Sequence, residues 1–156
     1  MSFPNGALKE MDGEEFVGTT VSCLMELAGQ GIPKDSDELR QRIHSYFRFC
    51  EERQMRPSIE NLCLSLGTSR QNFWNWCSGV NTKSRDAEWQ SLCCTAKQIV
   101  LCFLETAHMA GKINPASAIF LLKNWGGYMD SVTVETGTTE GNHAITASEL
   151  PKLPEV

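Results

Sequence analysis

The stretch from Asp86 to Ala110, DAEWQSLCCTAKQIVLCFLETAHMA, limits the possible folds more than any other part of the chain. Trp89, Leu92, Ala96, Ile99 and Phe103 recur in alternating steps of three and four, the spacing of one buried stripe on a helix. At 1.5 Å per residue that helix is about 37 Å long. Leu101, Cys102 and Leu104 add apolar surface elsewhere around the axis. A helix that is apolar nearly all round needs neighbours on more than one side. A central place in a monomer's core would meet that need, but a small domain seldom supplies enough neighbours, so association between subunits is favoured.

Shorter helices are expected on either side. Residues 1–13 form a loose leader with Pro4, Gly6 and Gly13, and Glu14 to Leu27 a helix carrying Val17, Val21, Leu24 and Leu27 inward. After the break GQGIPKD, Asp35 and Glu38 have the spacing of a capping box, and Leu39, Ile43, Phe47 and Cys50 continue a helix to about Gln54. Its outer face holds Arg40, Arg42, Arg48 and Arg53, open to phosphate or simply to solvent. Beyond the long helix, Gly111 is a stop, Asn114-Pro115 a start, and Ile119, Phe120, Leu121 and Leu122 are apolar on several sides before Gly126-Gly127. From Ser131 the composition turns to Thr, Gly, Glu and Ser, the mark of a flexible tail, although SVTVE alternates like a strand.

Between the first arginine-bearing helix and the long one lies SIENLCLSLGTSRQNFWNW, Ser58 to Trp76. Ser58 caps a short helix with Ile59, Leu62, Cys63 and Leu66 inward, Gly67 supplies the turn, and Ser69 caps a second helix anchored by Phe73 and Trp76. Two helices that cross closely need a small residue in the first, a flexible one at the turn and apolar anchors on the second. Cys63, Gly67, Phe73 and Trp76 fill those roles, which leaves Ser69, Arg70, Gln71, Asn72 and Asn75 facing outward with groups suited to base edges or phosphates. Any short αα-hairpin shares the pattern, so the pattern alone leaves DNA contact open.

The formal net charge of -5 hides an asymmetry: residues 1–39 carry -6, residues 40–112 carry +4 and residues 113–156 carry -3. Phosphate binding depends on local positive charge, so the middle segment can hold a duplex while the ends stay clear of it; an ordinary solvated face would look the same. Seven cysteines, an odd number without a CxxC, and an N-terminus lacking a signal-peptide pattern point to a reducing cytoplasm. No apolar run approaches the roughly 18 residues of a membrane span, so no membrane partner is expected. The chain has no GxxxxGK[ST] phosphate loop and no metal-ligand spacing, and His44, His108 and His143 lie far apart. A non-catalytic protein without metal or other cofactor is expected; a small thiol enzyme, needing a cysteine of depressed pKa beside a histidine, is the weaker alternative.

RPSIENLCLSLGTSRQNFWNW, a polar loop, the long helix and then NPASAIFLLKNWGGYMD together resemble the small terminase subunits of tailed bacteriophages and prophages, over roughly Arg48 to Asp130. The resemblance implies a DNA-recognition component of a genome-packaging motor in the bacterial host cytoplasm. Such a subunit assembles into a ring, engages double-stranded viral DNA and regulates a separate large subunit with ATPase and nuclease activities. It would place DNA contact on Ser69, Arg70, Gln71, Asn72 and Asn75, with Lys83 and Arg85 as phosphate partners. Packing and subunit association would fall to Trp89, Leu92, Ala96, Ile99, Phe103, Ile119, Phe120 and Leu122. The expected architecture is all-α: a leader (1–34), a helix plus helix-turn-helix region (35–85), a helical oligomerisation region (86–130) and a flexible tail (131–156). A helix-turn-helix transcriptional regulator is the alternative, and it would be a dimer reading half-sites about 34 Å apart.

Overall fold

The computed structural model describes residues 13–80 and 85–129, and all of their regular structure is helical. The helices are α1 (Gly13–Leu27), α2 (Ser36–Glu52), α3 (Ile59–Ser65), α4 (Arg70–Ser78), α5 (Ala87–Met109) and α6 (Pro115–Gly126). Lys83, SVTVE and the closing SELPKLPEV lie outside the described residues.

Each helix after the first begins on a side chain that accepts from an otherwise unpaired N–H of its first turn. Asp35 accepts from Glu38, Ser58 from Asn61, Ser69 from Asn72, Asp86 from Trp89, and Asn114 from Ala116 and Ser117. The reciprocal arm expected of a capping box is displaced by one residue: the Glu38 carboxylate accepts from the N–H of Lys34, 2.9 Å away, and not from Asp35. That bond and the Arg42 guanidinium hold Glu38 below the usual carboxylate range.

The long helix α5 lies at the centre, packed against α2, α4 and α6, while α1 rests on α3. Its buried residues are Trp89, Cys93, Ala96, Val100, Leu104 and Ala107. This corrects the expected stripe: Trp89 and Ala96 are in it, Leu92 is half-buried beside the core, and Ile99 is 44 % exposed. Burial falls instead on Cys93, Val100 and Leu104, each one residue beyond Leu92, Ile99 and Phe103, so the buried face has the expected helical spacing but is rotated around the axis.

Two further expectations need correction. On α1 only Cys23 and Leu27 are buried, and Val17 and Val21 stand in solvent, because the helix touches the body through its C-terminal half alone. The arginines on the outside of α2 meet carboxylates of the same chain: Arg40 with Asp37 and Glu88, Arg42 with Glu38, Arg48 with Glu52, and Arg53 with Glu26.

Polar bonds fix α2 against its neighbours. Asp86 Oδ1 accepts from Ser36 Oγ at 2.7 Å as well as from the Trp89 N–H, which ties the start of α5 to the start of α2 and keeps the Asp86 carboxyl below its ordinary range. Tyr46, 2 % exposed, accepts from the Ser58 N–H at 2.9 Å and donates to the Ser58 carbonyl at 3.1 Å, joining α2 to the cap of α3. Burial pushes its phenol far up, so it stays a donor at any physiological pH. Tyr46→Phe strips both backbone groups of their partner and is expected to cost about 1–3 kcal/mol in a urea titration; an unchanged midpoint would show that water replaces the hydroxyl.

Candidate nucleic-acid interface

Leu66 to Ser69 join α3 to α4 in one tight link. The N–H of Thr68 returns to Cys63 O at 3.0 Å and that of Gly67 to Leu64 O at 3.2 Å, while Gly67 takes a left-handed backbone with φ 66°. These are the two bonds of a Schellman end, and they turn the chain sharply enough for α4 to pack back on α3. Leu62, Leu66 and Phe73, all at 0 % exposure, lie in the resulting core.

Burial of Phe73 and Trp76 decides which residues of α4 face outward. Gln71 and Asn75, one turn apart, lie on the side opposite those anchors, and Gln71 Nε2 donates to Asn75 Oδ1 at 3.3 Å. Ser69, Arg70, Gln71 and Asn72 are exposed, and Asn75 is half-buried. The Ser69 hydroxyl already accepts from the Asn72 N–H at 3.2 Å, which leaves its O–H and one lone pair for a ligand. Arg70 Nε stands 3.6 Å from Glu60 Oε1 of α3, both side chains at least half-exposed, an ion pair weak enough to exchange for a phosphate. The structure thus brings five of the seven expected DNA-contact residues onto one short helix and its cap.

Arg85 is placed differently. It is half-buried, with its guanidinium 4.0 Å from the Trp89 ring centre and 5.8 Å from that of Trp76, and those two indoles meet edge-on at 5.0 Å. Its first role is to cover the junction of α4 and α5. Lys83, the seventh residue, lies outside the described residues.

Lys97 was not legible as a site residue. From α5 it reaches across to place Nζ 4.3 Å from the ring centre of Trp74 on α4. Trp74 is thereby half-buried in an open cleft of about 590 Å³, whose walls include Cys77, Cys94, Leu101, Cys102, Glu105 and Tyr128. The end of α4 is held by α5 as well: Gln90 Nε2 and Cys94 Sγ both donate to the Cys77 carbonyl, at 3.0 and 3.2 Å.

Three thiols pack into the helix junctions. Burial pushes Cys63 and Cys77 up to about 12 and Cys93 higher still, the direction opposite to that a thiolate nucleophile requires. Among the described residues no group of three His, Cys, Asp or Glu side chains could hold a metal ion, and no helix is long and apolar enough to cross a membrane.

The residues expected at a subunit interface divide in two. Trp89 and Ala96 are spent on the chain's own core, and Leu92, Phe103 and Leu122 are half-buried. Ile99, Ile119 and Phe120 remain in solvent. Comparison of the chain with protein families, with curated proteins and with solved structures finds no match.

Proposed function

We propose that the protein is a non-catalytic, DNA-binding subunit of a phage terminase, in which α3 and α4 act as a helix-turn-helix and several copies act together beside a large ATPase/nuclease subunit. One observation carries the DNA-binding part: α4 buries Phe73 and Trp76 while turning Arg70, Gln71, Asn72 and Asn75 outward, with the charge of Lys97 nearby. Amides and a guanidinium on one helical face are the groups that pair with base edges and phosphates in a major groove. The assignment to genome packaging comes from the sequence resemblance.

A chain of net charge -5 can bind DNA in this way if each copy contributes a few contacts and assembly adds them through effective concentration. Arg70→Ala tests the reading. Affinity for duplex DNA, followed by fluorescence anisotropy across a salt series, is expected to fall roughly tenfold, and the slope of log K against log salt to shrink by about one per subunit engaged. The assembly, weighed by light scattering, is expected to persist. Unchanged affinity moves the DNA site off α4, and a stable dimer that reads two spaced half-sites replaces packaging by transcriptional control.

A further inference from the structure

Two apolar helix faces point away from the core. Val17, Val21 and Met25 succeed one another every fourth residue along α1 and are exposed, and so are Ile119 and Phe120 on α6. α1 packs on α3 and α6 on α5, so each face is carried by a helix with its own neighbour in the fold. Glu14 stands on the α1 face and the half-buried Lys123 on the α6 face; α1 has no basic residue and α6 no acidic one.

Gly18 adds an independent observation. It stands in the interior of α1 on the same side as Val17 and Val21, where glycine weakens a helix relative to alanine. Its backbone is ordinary helix, and a side chain there would meet nothing within 4 Å in its own chain. The chain therefore gives no reason of its own for a glycine at this point, whereas close approach of another backbone would supply one.

We propose that copies of the protein associate head to tail, the Glu14, Val17, Gly18 and Val21 face of α1 in one copy lying antiparallel against the Ile119, Phe120 and Lys123 face of α6 in the next. The antiparallel sense sets Glu14, in the first turn of α1, beside Lys123, in the last turn of α6, and brings the positive end of one helix dipole to the negative end of the other. Gly18 then faces Ile119 and Phe120 and lets the helices close. A contact between two different patches propagates from copy to copy and ends only by closing into a ring or running on as a filament. The inference rests on the multi-subunit part of the function proposed above and on no DNA contact.

The test uses the full chain without DNA. Val21→Glu and Phe120→Glu, made separately, are each expected to reduce the assembly to single chains by light scattering, with helical circular dichroism unchanged. Mixed in equal amounts, the two variants are expected to form a dimer and nothing larger, because one retains an intact α6 face and the other an intact α1 face. Gly18→Leu is expected to block assembly while Gly18→Ala raises the thermal midpoint of the dissociated chain. Glu14→Lys is expected to weaken association about two- to fivefold. A wild-type assembly that survives Val21→Glu, or a mixture that stays monomeric, overturns the head-to-tail contact and leaves the proposed function standing. A wild-type chain that is monomeric at high concentration overturns both.

Discussion

Trp89→Ala is expected to lower the stability of the folded chain by about 3–5 kcal/mol, the range for deleting a large buried aromatic. Trp89 is 1 % exposed, sits in the first turn of α5 and meets Trp76 of α4 edge-on, while Arg85 lies across its ring. Removing the indole leaves a cavity where the candidate DNA-contacting helix packs on the start of the long helix. Domains of this size are stable by about 5–15 kcal/mol, so the variant loses a large share of its stability. Urea unfolding followed by far-ultraviolet circular dichroism measures the loss directly. Trp89→Phe sharpens the test. The indole N–H has no hydrogen-bond partner among the described residues, so phenylalanine removes a buried unpaired donor while keeping a ring for Trp76 and Arg85. It is expected to cost less than half of the alanine change. Equal losses would mean that the N–H is satisfied by water and that the volume at this point matters less than the donor.

The same residue shows where the chain's order was readable. Helix starts were legible because a cap is a local event: Asp35, Ser58, Ser69, Asp86 and Asn114 each act on an N–H within three residues of themselves. The inward pair Phe73 and Trp76, and so the outward set from Ser69 to Asn75, were legible for a similar reason, since nine residues allow little rotational drift. On α5, which is apolar on more than one side, the buried face is rotated from Leu92, Ile99 and Phe103 to Cys93, Val100 and Leu104. Which of two adjacent apolar residues is buried depends on where α2, α4 and α6 press on the helix, and no local pattern encodes that. The places of Arg85 over Trp89 and of Lys97 over Trp74 were not legible, because they are defined by how α4 meets α5. Val17 and Val21 have the spacing of a buried face and are exposed, because periodicity reports that a face is apolar and not which molecule covers it.

Gly67→Ala is expected to cost about 2–5 kcal/mol, from two sources that can be separated. The residue has φ 66°, and a left-handed backbone costs an L-residue with a Cβ about 1–2 kcal/mol. The second source is space. A Cβ at this position would run into the Gln30 carbonyl oxygen and stand 2.9 Å from the Gly31 carbonyl carbon. That segment cannot easily retreat, since the Gly31 carbonyl accepts a hydrogen bond from Arg42 and the chain there links α1 to α2. Overfilling a tight contact adds about 1–3 kcal/mol. At an ordinary helix end asparagine recovers much of what alanine loses, because it tolerates the left-handed region. Gly67→Asn is therefore expected to remain within about 1 kcal/mol of Gly67→Ala here, since both carry the Cβ that meets Gln30 and Gly31. Asparagine restoring the wild-type urea midpoint would show that the α3 to α4 turn needs only a backbone conformation, and that the approach of the α1–α2 link to it is loose. Parallel losses in both variants, with protease cleavage appearing first between residues 27 and 35, would show that the same contact holds α1 to the body.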